Sequence, residues 1–179
     1  MKRFVLVCLL AVVAGSTPVA AQQSVPPASP TFGASGGFGG GIAIPIGSLA
    51  DTHAAGYTLA GLVDFSAADQ PYSFRAEATF QRYDRKSGAA ADIHSVNMLS
   101  FGASILARSP SSRGSSAFAI GGIGVYHLTD LGTRPGLSGG VGLEVPLTYF
   151  IGMADVRLHY VLAEGKPAIT IPITLGARF

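Results

Sequence analysis

The stretch that decides the fold is Pro167–Phe179, PAITIPITLGARF. Ile169, Ile171, Ile173, Leu175, Ala177 and Phe179 alternate with Thr170, Pro172, Thr174, Gly176 and Arg178. Successive side chains of a β-strand point to opposite faces, so this segment has one oily face and one mostly polar face. An amphipathic strand that happens to come last would read the same way. The rest of the chain separates a soluble strand from a membrane-crossing one.

At the other end the sequence reads as an export signal. Lys2 and Arg3 precede the apolar run Phe4–Ala14, and Val19-Ala20-Ala21 has the small residues of a cleavage site. The run is shorter than the roughly 20 residues a spanning helix needs. Residues 1–21 are therefore set aside as a leader, with Gln22 expected to open the mature chain. The one cysteine, Cys8, lies inside the apolar run after Val7, which does not suit a lipidation site. With the leader gone no cysteine remains, so an exported chain must be stable without disulfides.

Cleavage also settles the charge. The full chain has 12 Lys+Arg against 10 Asp+Glu, a formal +2, and Lys2 and Arg3 account for that excess. The mature chain is neutral and has no basic cluster, so nucleic acid is not an expected partner. Charged residues make up 12% of the chain, against about 25% in typical soluble proteins. Mean hydropathy is +0.42, yet no apolar run after the leader approaches 18 residues. Lipid leaves only helices and closed barrels able to satisfy the backbone, so an oily chain without a spanning helix points to a barrel.

Beyond a flexible periplasmic lead-in at 22–32, carrying Pro26, Pro27 and Pro30, the chain divides into eight strand-like segments. Seven precede the closing one: 33–46, 55–66, 71–83, 93–108, 115–128, 136–145 and 149–162. The third is clearest, with Tyr72, Phe74, Ala76, Ala78 and Phe80 against Ser73, Arg75, Glu77, Thr79 and Gln81. In the blurred fourth, Leu99, Phe101, Ala103 and Ile105 are expected to face outward. Segments of 10 to 14 residues suit tilted membrane crossings, which need roughly 9–11 residues. Tyr57, Phe65, Tyr72, Phe80, Tyr149, Tyr160 and Phe179 lie near segment ends, where interfacial aromatic girdles belong. An even strand number puts both ends in the periplasm. The outer loops are then 47–54, 84–92, 129–135 and 163–166, all short.

With these features the chain resembles the small outer-membrane β-barrels, the OmpA/OmpX-like eight-stranded type, over residues 33–179. The resemblance implies an all-β fold: an eight-stranded antiparallel up-and-down transmembrane β-barrel in the cell outer membrane. It also implies that the last strand is read by the barrel-assembly machinery during biogenesis, through Ile171, Ile173, Leu175 and Phe179. The glycine usual in that signal is out of register here, because Gly176 is displaced. No peptidoglycan-binding domain of the kind found in full-length OmpA-like proteins is expected after residue 179. Outer-membrane lipid is the other expected partner, and the barrel is expected to be a monomer.

In a membrane barrel the polar face fills the lumen, which brings Asp64, Arg75, Glu77, Glu144, Asp155, Arg157 and Arg178 inside. An unpaired buried charge costs several kcal/mol (on the order of 3–5 when a partner is lost), so these residues should pair into a plug. Arg75 and Arg157 are expected to bridge Glu77, Glu144 and Asp155. Eight strands enclose just enough room for such a filling. His53, His94, His127 and His159 fall toward the outer side near Asp51, Asp84, Asp92 and Asp130. No pair has a tight ligand spacing, so interfacial histidines rather than a metal site are expected. With no strand-to-helix nucleophile elbow and no His-Glu-x-x-His, neither a catalytic residue nor a cofactor is expected.

Two other readings invert or perforate the barrel. A soluble periplasmic lipocalin-like barrel would put Ile169, Ile171, Ile173 and Phe74 inside around an apolar ligand, and put Arg75, Glu77, Asp155 and Arg157 in water. Its low charge argues against it. A small channel or transporter would need an open lumen or a gap in the wall, for which the glycines and Pro172 are the weak points.

Overall fold

A computed structural model describes residues 32–67, 70–90, 92–110, 114–163 and 165–179. The expected leader and nearly all of the lead-in, residues 1–31, lie outside the described residues. Eight strands follow in chain order: β1 (Phe32–Ile46), β2 (Gly56–Ala67), β3 (Tyr72–Tyr83), β4 (Val96–Arg108), β5 (Ser116–Leu128), β6 (Gly132–Pro146), β7 (Ile151–Val161) and β8 (Ala168–Arg178). Each pairs antiparallel with the next, and β8 pairs with β1, which closes the barrel. The single described helix, α1 (Ser48–Thr52), sits between β1 and β2, in the first of the connections expected to be outer, and no described helix is long and apolar enough to cross a membrane.

The strand boundaries depart from the sequence expectation by more than two residues in two places. β6 begins at Gly132 rather than 136. Gly132 takes φ 69°, a left-handed turn conformation suited to glycine, and Thr133, Arg134 and Pro135 then pair with His127, Tyr126 and Val125. The third outer connection is thus only Thr129–Leu131. β4 starts at Val96, leaving a longer second outer connection.

Face assignment follows strict alternation. On β3, Phe74 is 62% exposed while Arg75 beside it is 1% exposed. Around the barrel the outward positions include Phe38, Leu59, Phe101, Ile123, Leu137, Val141, Leu158 and Leu175, all exposed, while Thr58, Asp64, Gln81, Ser100, Glu144, Asp155 and Arg157 are buried. The interior is polar and the exterior apolar, the reverse of a soluble protein. Aromatic rings mark both rims. Tyr57 and Phe80 pair near the α1 end, with centroids 6.1 Å apart. Phe38, Phe150 and Phe179 gather near the other end, with centroids 5.9 and 6.1 Å apart.

Glycine makes the narrow lumen fit. The glycine-rich β6 lies beside β5 and β7, which carry large inward side chains. The Phe118 ring lies over Gly142, its register partner, and the Tyr126 ring lies over Gly136. A Cβ at Gly136 would meet Tyr126 Cε2 and the Tyr160 carbonyl oxygen, each at 2.7 Å. Glycine here leaves space that the neighbouring strand fills.

Candidate functional site

The lumen and its mouth at the α1 end carry all the buried chemistry. At the opposite end a charged cluster spans five strands. Arg75 Nε and Nη2 donate to the two carboxylate oxygens of Asp64 at 2.6 and 2.8 Å, a two-point pair with both side chains fully buried. Arg108 donates from Nε and Nη2 to Glu144 at 2.9 and 3.1 Å, and also reaches Asp64 at 3.4 Å and the Ser73 hydroxyl. Arg178 donates to Glu144 at 3.2 Å and to the Ser35 hydroxyl at 3.1 Å, with its Nε 3.5 Å from Asp64. Three guanidinium groups thus enclose two carboxylates.

Nearer the middle of the barrel the ratio reverses. Arg157 donates to Glu77 at 2.7 Å and to Asp155 at 3.0 Å, one cation between two anions. The two clusters balance each other, so buried charge in this set cancels over the lumen but not within either half. The Arg75 guanidinium carbon lies 5.8 Å from the centre of the Phe118 ring, which covers the cluster with an aromatic face.

Toward α1 the filling becomes neutral. Gln81 Nε2 donates to His159 Nδ1 at 3.3 Å, its carbonyl oxygen accepts from Tyr83 and Thr170, and the Thr79 and Ser100 hydroxyls pair at 2.5 Å. The His159 ring stands edge-on to Tyr126 at 5.5 Å. Above them Val96, Met98, Tyr126, Leu128, Val161 and Ala168 form an apolar layer. One void of about 20 Å3 lies among Glu77, Gln81, Arg157 and His159, room for a water molecule.

All seven charged residues expected inside are on the lumen side, and Arg157 bridges Glu77 and Asp155 as expected, but Arg75 and Glu144 find other partners. Arg75 pairs with Asp64, because the two are register partners on the adjacent strands β2 and β3. Glu144 is held by Arg108 and Arg178 instead. Arg108 is the member missed from the sequence. It shares parity with Ser100 and Ser104 and is opposite in parity to Leu99, Phe101 and Ile105, so alternation extended to the strand end would have found it.

Histidine placement also departs from the expectation of four interfacial rings. His53 and His159 are buried, while His94 and His127 are exposed. The His53 Nε2–H donates to the His94 carbonyl at 3.0 Å, which leaves Nδ1 to accept from the Thr52 hydroxyl at 2.8 Å. Backbone bonds from Ala54 to Asp84 and from Lys86 to Thr52 tie the same two connections together. His53 is thus the pin between the first and second outer connections. Among the described residues no three His, Cys, Asp or Glu side chains converge as metal ligands.

A Gly-x-Ser-x-Gly string does occur, at Gly136–Gly140. It lies within β6, where no turn or helix follows to present the Ser138 hydroxyl. It is strand sequence, not a nucleophile elbow.

No family model matches the chain, and no curated protein matches it. Solved structures do. Neisserial surface protein A is similar over 83% of this chain and 97% of its own, at 16% identity and a TM-score of 0.63. The attachment invasion locus protein Ail of Yersinia pestis, in complex with the heparin analogue sucrose octasulfate, is similar over 82% of this chain and 99% of its own, at 13% identity and a TM-score of 0.46. At such identities the likeness is one of fold. A closed eight-stranded barrel with a polar, filled interior and an apolar exterior is the fold of the small outer-membrane β-barrels, and it is the fold of this chain.

Proposed function

We propose that the protein is an integral, monomeric outer-membrane barrel whose lumen is a structural plug and whose work is done at the surface. The observation that carries this reading is the inversion of faces: Arg75 and Asp64 buried, Phe74 and Phe65 exposed. An apolar belt on this scale needs lipid around it, and the two aromatic rims suit its two interfaces. The lipocalin-like alternative needs the opposite faces. A conducting pore needs a continuous water path, and the paired arginines, the Gln81–His159 layer and the apolar cap stand across it. The outer connections, with α1 and the His53 pin, are the parts left to meet a surface partner. The outward row Ile171, Ile173, Leu175 and Phe179 is proposed as the face that the barrel-assembly machinery reads.

Electrophoresis of outer-membrane fractions in SDS, with and without boiling, tests the reading. A folded transmembrane barrel resists SDS and changes mobility on heating. Planar-bilayer recording of the same material should then give no steady conductance. A soluble periplasmic protein without a heat shift would overturn the membrane reading, and an ohmic conductance would replace the plug with a channel.

A further inference from the structure

The mouth of the barrel at the α1 end holds a pocket of about 340 Å3. Its floor is Val96, Leu128 and Ala168, each almost fully buried, and one wall is His53. That wall is fixed, because the His53 ring and the backbone bonds at Ala54 and Lys86 lock it to the second outer connection. Across the pocket Asp130 comes from the third connection and Lys166 from the fourth, both exposed. Neither side chain has an ion-pair or hydrogen-bond partner among the described residues.

We propose that this pocket binds a small zwitterion with an apolar body, of the class of a dipeptide of large apolar residues. The volume is at the lower end of the roughly 300–1,000 Å3 of small-molecule sites. An apolar floor favours an apolar body, and the free anion and cation on the rim complement an ammonium and a carboxylate. Asp130 and Lys166 sit on different connections, so each rim charge can take one end of the ligand, and the volume of about 340 Å3 admits a body larger than a single amino acid. The ligand class deepens the surface role proposed above and rests on the mouth being open to the outside.

The test titrates the refolded full barrel in micelles, its fold checked by the heat shift, with leucyl-leucine, its N-acetyl form and its C-terminal amide, followed by calorimetry. Saturable binding of the free dipeptide is expected, with about tenfold weaker binding of each blocked form, as one lost charged contact implies. Lys166→Gln should erase the preference over the amide, and Asp130→Asn the preference over the acetylated form. A heat-shifting barrel with no saturation at millimolar dipeptide would overturn the pocket proposal alone. So would binding indifferent to both substitutions. A protein without the heat shift would instead overturn the membrane barrel beneath it.

Discussion

Asp64 is the residue on which the lumen's charge balance turns. It faces Arg75 at 2.6 Å, Arg108 at 3.4 Å and Arg178 at 3.5 Å, and it is fully buried. Removing one partner of a buried pair strands the other charge, at a cost of about 3–5 kcal/mol. Asp64→Asn should therefore lower unfolding free energy in urea by about that amount, and more than Arg75→Met does, because it strands Arg75 and leaves Arg108 and Arg178 to share Glu144 alone, whereas Arg75→Met leaves Asp64 two cations. The double variant should recover only part of the loss, since Arg108 and Arg178 still lack the carboxylate; full recovery would mean that the Arg75 pair is isolated. Glycines offer a matched contrast. Gly136→Ala drives a methyl against Tyr126 and the Tyr160 carbonyl, and should destabilise by about 1–3 kcal/mol. Gly121 faces outward with nothing within 4 Å, so Gly121→Ala should be neutral or stabilising by up to about 1 kcal/mol. Lumen membership was legible residue by residue wherever alternation was clean. Pairing was not, because it depends on register across strands: Asp64 and Arg75 meet only once β2 and β3 are aligned.

At the scale of the element, β8 was plainly legible, though less so than β3, and it carries a defect the sequence hints at. Its pairing with β1 runs unbroken from Arg178 to Ile169, but its pairing with β7 skips Arg157–Pro172 and Leu158–Ile171. Proline has no N–H, so the missing bond falls on the β7 side. Pro172→Ala should restore the ladder, add about 1 kcal/mol of stability and slow amide exchange at Arg157 and Leu158. Unchanged exchange there would mean that something other than proline opens the ladder. The sequence named Pro172 as a weak point in the wall, and the wall is interrupted there but stays packed by Arg157 inside and Leu158 outside. The first turn of β6 was illegible for a simple reason: Thr133, Arg134 and Pro135 have loop-like composition, and only pairing with β5 makes them strand. α1 was missed because five residues give too little periodicity to register.

For the molecule as a whole, the decisive property is which face meets lipid, and composition already pointed to it. Low charge, high hydropathy and eight alternating segments each fit a membrane barrel, and closure of β8 on β1 ties them into one architecture. What sequence left open was whether polar or apolar faces turned inward, since alternation is symmetric and a lipocalin-like barrel has the same pattern with the sign reversed. The inward crowding of paired arginines and carboxylates resolves it, because those groups are buried only if their partners are buried with them. A single substitution can read that sign. Ile123 lies midway along β5 and is 66% exposed. On a lipid-facing midplane Ile123→Arg should cost about 2–4 kcal/mol of stability in bilayers, because the cation loses its hydration. On a soluble surface the same change would be near neutral, within about 0.5 kcal/mol. The comparison with Thr133→Arg, at the rim of the same sheet, removes the effect of the side chain itself: near the interface the cost should fall to about 0–1 kcal/mol. A depth-dependent difference between the two variants in vesicles, measured by urea unfolding, is the signature of a membrane-spanning wall, and equal costs at both positions would mean that water, not lipid, faces β5.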